Sequence, residues 1–178
     1  MKHFLIVVDL QNDFVDGALG TKEAEAIVER AAEKIERFDG QIIATLDTHG
    51  ADYLQSAEGA HLPVVHCVRE TAGWQLNARI LAALEQRGYT AIEKPTFGST
   101  ELPSLIEELA AGEDFTLELI GLCTDICVVS NALLLKAFFH ETPIAVDAAC
   151  CAGVTPESHA AALKTMAMCQ IEIENGEN

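Results

Sequence analysis

Short apolar runs alternate along this chain with stretches whose apolar positions recur every third or fourth residue. Residues 4–8, 41–46, 64–68, 89–93, 115–122, 144–148 and 169–173 read as strands. Residues 22–38, 76–87, 102–111, 125–139 and 156–168 read as helices. In the helix 22–38, Ala24, Ile27, Val28, Ala31, Ile35 and Phe38 share one face. Gly88 and Gly112 stand where two of the helices should stop. The strand runs are apolar at successive positions, the pattern of strands covered on both faces. This alternation predicts a doubly wound α/β fold: a single three-layer α/β/α domain over residues 1–178 with a mostly parallel six-stranded sheet. Residues 48–63, rich in Gly, His and Asp, show no period and read as a loop.

In open sheets of this kind, ligands bind beyond the carboxyl ends of the strands. Asp9, Asp47, His66, Lys94 and the segment 123–127 all fall at or just after a predicted strand end, and so does Asp147. Cys127 lies in Gly121-Leu122-Cys123-Thr124-Asp125-Ile126-Cys127-Val128, a strand-to-helix junction. There the positive end of the helix dipole favours thiolate, and unpaired N–H groups can hold a developing oxyanion. The alternative is an inert core cysteine at a helix start. Cys123 and Cys127 do not have the C-x-x-C spacing of a redox pair. Asp9 emerges from an apolar strand, where desolvation raises its proton affinity and suits it to general-base work. It could instead cap the following turn. Lys94, in Glu93-Lys94-Pro95-Thr96-Phe97-Gly98-Ser99-Thr100, is remarkable only for its position, since most lysines are solvated.

Composition narrows the partners. With 28 acidic and 11 basic residues among 178, the net charge of −17 opposes nucleic acid and anionic membranes, and a small neutral or weakly charged ligand fits better. No leader is read at the start, and no run reaches the ~18 apolar residues of a membrane span, so a cytoplasmic protein is expected. The six cysteines (67, 123, 127, 150, 151 and 169) mostly sit inside apolar runs and read as free thiols of a reducing compartment. Residues 174–178 read as a polar tail.

Three blocks taken together resemble the isochorismatase-like cysteine hydrolases, in particular the nicotinamidase-related branch: Val-Asp-Leu-Gln-Asn-Asp-Phe from Val8, Glu-Lys-Pro-Thr-Phe-Gly-Ser-Thr from Glu93, and Gly-Leu-Cys-Thr-Asp-Ile-Cys-Val from Gly121. The resemblance spans residues 4–173 and implies a Rossmann-like fold. It also implies that Cys127 attacks the carbonyl of a small amide, that Asp9 takes the thiol proton and passes it to the leaving amine, and that Lys94 stabilises the charges between them. A cis peptide between Leu122 and Cys123, with the Cys123 and Cys127 N–H groups as oxyanion hole, is implied as well. A thioester then forms and is hydrolysed after ammonia leaves.

Asp47-Thr48-His49 follows one predicted strand and His66 closes another, a set of Asp and His donors suited to a divalent metal. The nicotinamidase-related branch is similar in its Asp-x-His pair and its His before Cys-Val. Some members add a Glu, which implies Glu58 as a ligand, with His61 competing in the same loop. Zinc suits these ligands best, and Fe or Mn would also bind. The loop 50–61 departs from the usual nicotinamidase pattern, with one late His and Tyr53 as its only aromatic, which leaves the amide substrate open. Phe14, Tyr53, Phe97 and Trp74 are candidate pocket walls, although Phe14 and Phe97 also read as core residues. Hydrolysis of N-carbamoyl or ureido acids is the nearest alternative chemistry, and a non-catalytic ligand-binding module the alternative of another class. Leu133, Leu134, Leu135, Phe138 and Phe139 crowd one predicted helix, which with the resemblance implies a homo-oligomer.

Overall fold

Successive side chains of the first strand serve opposite cores, and the layering follows from that. The structure, a computed structural model, describes residues 1–176. In chain order it runs β1 (Lys2–Val8), α1 (Asn12–Val15), α2 (Lys22–Arg37), β2 (Gln41–Asp47), α3 (Ala57–His61), α4 (Ala78–Arg87), β3 (Thr90–Lys94), α5 (Leu102–Ala110), β4 (Phe115–Leu122), α6 (Val129–Phe138), β5 (Ile144–Ala152), α7 (Pro156–Met168) and β6 (Glu172–Glu174). Leu5 and Val7 pack with Ile27, Ala31 and Ile35 of α2 and with Ile80 and Leu84 of α4. Phe4, Ile6 and Val8 pack on the other face with Ile106 of α5, Leu135 of α6 and Met166 of α7. The strands pair in the order β3-β2-β1-β4-β5-β6, and every pairing is parallel. Strand order therefore reverses between β1 and β4, the switch point where doubly wound sheets open a crevice.

Local signals set the helix ends. Thr21 accepts a hydrogen bond from the Ala24 amide to start α2, and Thr155 and Ser158 form a reciprocal capping box at α7. The chain leaves α4 through Gly88 at φ 77°. No helix among the described residues is long and apolar enough to cross a membrane.

Five expectations need correction. Residues 64–68 form no strand of the sheet. β3 takes the place beside β2, Pro63 offers no N–H, and the segment bridges only through Val68 to His49. The helix expected over 125–139 opens with a π-helical turn, Thr124–Val128, in which the Val128 amide donates to the Cys123 carbonyl at 3.0 Å. The last strand is displaced toward the C-terminus because Gln170, at φ 66°, is still leaving α7. Glu174 closes that strand instead of opening a tail, and residues 177 and 178 of the expected tail lie outside the described residues. β5 runs on to Ala152, so Asp147 is mid-strand and bonded to Lys34 of α2 at 3.2 Å, away from the sheet's carboxyl edge.

At the switch point β4 passes β1 so closely that a Cβ on Gly121 would lie 2.1 Å from the Val8 carbonyl oxygen, and Gly121 itself sits at φ 121°. Gly121→Ala should therefore cost about 2–4 kcal/mol of stability. The expected result is a lower urea midpoint at unchanged slope, and an unmoved midpoint would show that the strands can part without cost.

Candidate active site and metal centre

The two strands flanking the switch point deliver the first two groups. Asp9 directly follows β1 and Cys123 directly follows β4. Asp9 is fully buried at φ 47°, its N–H donating to the Thr45 carbonyl at 3.2 Å. The Thr45 hydroxyl donates to Asp9 Oδ1 at 2.6 Å. Oδ2 lies 2.6 Å from Lys94 Nζ in an ion pair that leaves it without an aligned hydrogen-bond donor. The side chain is thus committed to the site and does not cap the next turn. Lys94 ends β3, is 1% exposed, and also places Nζ 3.5 Å from Cys127 Sγ and 3.4 Å from Asp47 Oδ1.

Cys127 is held from behind by Asn131, one turn along. The Asn131 amide donates to the carbonyls of Cys127 at 2.8 Å and Phe97 at 3.1 Å, and its oxygen accepts from the Ser99 amide at 2.9 Å. The buried amide thereby ties the nucleophile's turn to the loop after β3. The Leu122–Cys123 peptide is cis, as the resemblance implies.

The electrostatics differ from the sequence expectation in one respect. Burial, reinforced by Asp47, raises the Asp9 carboxyl despite Lys94 and Thr45. Burial alone would lower Lys94, but Asp9, Cys127 and Asp47 outweigh it and hold the ammonium charged. For Cys127, burial and then the Asp9 carboxylate hold the thiol well above its ordinary value, against the pull of Lys94. Burial and the neighbouring carboxylate thus favour the thiol at rest, not the thiolate expected at a helix start.

Beside this trio, Asp47, His49, Glu58 and His66 bring one donor atom each within 4.8 Å of one another. Asp47 Oδ2 is 2.9 Å from His49 Nε2 and 3.6 Å from His66 Nε2, and Glu58 Oε1 is 3.8 and 3.6 Å from the same two nitrogens. His49 Nε2 is buried and hydrogen-bonds nothing, although a carboxylate oxygen is close. Donors that crowd together without bonding one another are arranged around a common centre. His66 Nδ1 faces the Val64 carbonyl at 2.8 Å, which fixes the tautomer that turns the Nε2 lone pair inward. Burial would raise Asp47, but His49, His66 and Lys94 keep it well below the usual carboxylate range and hence ionised. The donor set fits a divalent cation. His61 has turned away, its Nδ1 on the Ala57 carbonyl, and is outside the cluster.

A cavity of about 910 Å³ opens over both groups, with Cys123 and Cys127 on one side and Asp47, His49, Glu58 and His66 on another. Phe14 and Phe97 line it, as read from the sequence. Tyr53 does not. It is 2% exposed, with its ring 4.7 Å from His49 and 4.9 Å from His66 and its hydroxyl donating to the Leu62 carbonyl. It buttresses the histidines, so its expected substrate contact is replaced by a supporting one. Trp74 also misses the cavity and donates to the Thr48 hydroxyl at 2.8 Å.

Sequence reasoning passed over Gln11, Thr45 and Asn131. Gln11 is fully buried; its amide donates to the Asp47 and Trp74 carbonyls at 2.9 and 2.7 Å, and its oxygen accepts from the Asp47 amide at 2.7 Å. Asp13 accepts from the Cys67 amide at 2.8 Å, where the chain turns at φ 45° beside His66. A polar residue two places beyond Asp9 was the available signal for Gln11, but its partner lies 36 residues away.

A parallel α/β domain with a buried Asp–Lys–Cys trio beside an Asp/His/Glu cluster defines a class of cysteine hydrolase scaffold. The sequence model described as "Isochorismatase domain" matches residues 3–176, and the chain belongs to the isochorismatase family. It is 32% identical to the uncharacterized isochorismatase family protein PncA of Bacillus subtilis, over 94% of this chain and 95% of that one. It is 27% identical to the nicotinamidase/pyrazinamidase of Mycobacterium tuberculosis, over 95% and 96%. The pyrazinamidase of Pyrococcus horikoshii, solved in complex with zinc, superposes with a TM-score of 0.78 at 26% identity, covering 97% of this chain and 98% of that one.

Zinc affinity, measured by competition with a chromophoric chelator, should fall steeply in Asp47→Ala and His66→Ala and stay unchanged in His61→Ala. Gln11→Leu should lose roughly 10–100-fold, because the ligand it orients would drift. Equal affinity in all four variants would mean that the cluster does not hold the ion.

Proposed function

We propose that this chain is a metal-assisted cysteine amidohydrolase that cleaves the C–N bond of a small amide within one domain. The observation that carries the reading is Lys94 Nζ, buried 2.6 Å from Asp9 and 3.5 Å from Cys127, the thiol that lines the cavity. Cys127 Sγ attacks the carbonyl carbon while Asp9 Oδ2 takes the thiol proton. The Cys123 and Cys127 N–H groups hold the oxyanion. Asp9 then gives its proton to the leaving nitrogen, the C–N bond breaks and ammonia departs from a thioester. Asp9 next accepts a proton from water, whose oxygen attacks the thioester carbonyl, and the acid leaves as Cys127 is reprotonated. Lys94 keeps the proton transfer between two buried anions from building uncompensated charge.

Asp47, His49, Glu58 and His66 would hold the metal, which supplies a Lewis-acidic anchor for substrate or water beside the thiol. Zinc is favoured by the Asp/His/Glu donors and by the zinc complex of the Pyrococcus horikoshii relative. The nicotinamidase/pyrazinamidase relative supports an amide as substrate. A non-catalytic module gives no reason to bury Asp9, Lys94 and Cys127 together. A redox pair is disfavoured by the Cys123 thiol, which burial pushes up to about 12. Phe138 is 59% exposed beside the half-buried Leu133 and Leu134, which supports a homo-oligomer; purely monomeric sedimentation would remove that reading.

The test is ammonia release from a panel of primary amides by zinc-loaded protein. Cys127→Ala should abolish turnover and Asp9→Asn should lower it by at least about a thousandfold. Asp9 works as the carboxylate and its proton affinity is raised. The acid limb of kcat/KM should therefore lie above the ordinary carboxylate range, with rate lost as pH falls through it. Full turnover in Cys127→Ala would overturn the mechanism.

A further inference from the structure

The floor of the cavity is polar and chemical, but its upper walls are of another kind. Leu19 follows α1, Leu62 follows α3, Phe97 follows β3, Ile126 lies in the turn before α6, and Val154 sits between β5 and α7. Five separate parts of the chain thus converge apolar side chains on one opening. Exposure rises from floor to mouth: Cys127 is 4% and His66 2% exposed, whereas Leu62 is 36%, Phe97 46% and Val154 50%. Apolar side chains left this open around a mouth lose contact with water when a ligand lies across them.

Size points the same way. Pockets of ~300–1,000 Å³ enclose drug-sized ligands. At about 910 Å³ this cavity is near the top of that range, and a single-ring amide held at Cys127 would fill only its floor. Charge sets a second limit. No Lys or Arg is among the described residues lining the cavity, and the buried Lys94 ammonium is already engaged by Asp9 and Asp47. A carboxylate at the end of the substrate remote from the amide would meet mainly apolar walls, with Thr21, Ser56, His61 and Thr96 as the polar residues there and no Lys or Arg.

We propose that the mouth formed by Leu19, Leu62, Phe97, Ile126 and Val154 selects primary amides with an extended, uncharged apolar tail, alkyl or arylalkyl, over bare heteroaromatic amides and carboxylate-bearing ureido acids. The assignment rests on the amidohydrolase reading of the floor. The amide carbon sits at Cys127 and the tail runs outward along the apolar walls. Hydrolysis yields ammonia and the corresponding fatty or arylalkanoic acid, with water as the only co-reactant.

The experiment measures kcat/KM of the zinc-loaded protein for acetamide, butanamide, hexanamide, nicotinamide and adipamate, which is hexanamide's chain ending in a carboxylate. Each buried methylene should gain about fourfold, so hexanamide, with four more than acetamide, should exceed it by roughly 250-fold and should exceed nicotinamide. Adipamate should lose at least about tenfold against hexanamide, because its carboxylate must be desolvated without a partner. Phe97→Asp and Val154→Asp, at half-exposed positions, should flatten the chain-length slope. Calorimetric binding of the same amides to Cys127→Ala gives a readout independent of turnover, with Kd falling as the chain lengthens. A flat series, or nicotinamide ahead of every tailed amide, overturns the assignment while leaving the amidohydrolase standing. Length-dependent binding with no turnover of any amide overturns the amidohydrolase instead and keeps the apolar mouth.

Discussion

A lysine ammonium buried at 1% exposure is tolerable only if its charge is met, and the whole centre is arranged around meeting it. Asp9 and Asp47 reach Lys94 from the ends of β1 and β2, the next two strands in from the edge strand β3, so one cation ties three strand ends together at the carboxyl edge. Two carboxylates overcompensate a single ammonium, and Glu58 adds a third anion nearby. Three carboxylates around one ammonium leave an excess of acidic groups that a divalent cation would offset. Asp47 is the hinge of this balance, with Oδ1 facing Lys94 and Oδ2 facing the histidines. Metal and nucleophile are therefore parts of one electrostatic unit.

On the proposed mechanism, the same balance sets how the thiol works. A preformed thiolate beside the Asp9 carboxylate would place two anions around one ammonium in a closed site; burial raises the proton affinity of both groups, and Asp9 raises that of Cys127 further. Passing the proton from Cys127 to Asp9 keeps the sum of charges constant. The negative charge then leaves sulfur for the carbonyl oxygen as the new bond forms, where backbone N–H groups wait. Nucleophile activation is thus coupled to substrate attack, and a resting thiol is the consistent ground state.

What could be read from the chain, and what could not, divides by the range of the interaction involved. Asp9, Asp47, Lys94 and Cys127 were legible because the end of an apolar run marks the end of a strand, and strand ends define the functional edge of a parallel sheet. Gln11 was not legible, since its role is set by backbone groups of a residue 36 positions on. Tyr53 is aromatic in a loop under either role; only its packing against two histidines makes it a buttress. Residues 64–68 carry a strand's composition, but pairing needs a free neighbour, and β3 occupies the place beside β2. The direction of the Cys127 shift turned on burial, which a helix-start position alone does not disclose.

The fold also separates chemistry from selection. Asp9, Asp47 and Lys94 sit on or next to strand ends, and Cys127 on the turn after β4, positions fixed by sheet register, a buried ion pair and Asn131. The apolar mouth is built from short connections joined to that floor through main-chain atoms: Asn131 bonds the Phe97 carbonyl and the Ser99 amide, the Ile126 amide donates to the Cys123 carbonyl, and the Leu62 amide donates to the Glu58 carbonyl. Side chains at the mouth can change without disturbing the register below, so relatives with one mechanism need not share one substrate. The names of relatives at about 30% identity therefore speak to the floor. On the proposal made above, which amide enters is decided by the apolar side chains of the mouth, and those belong to this chain.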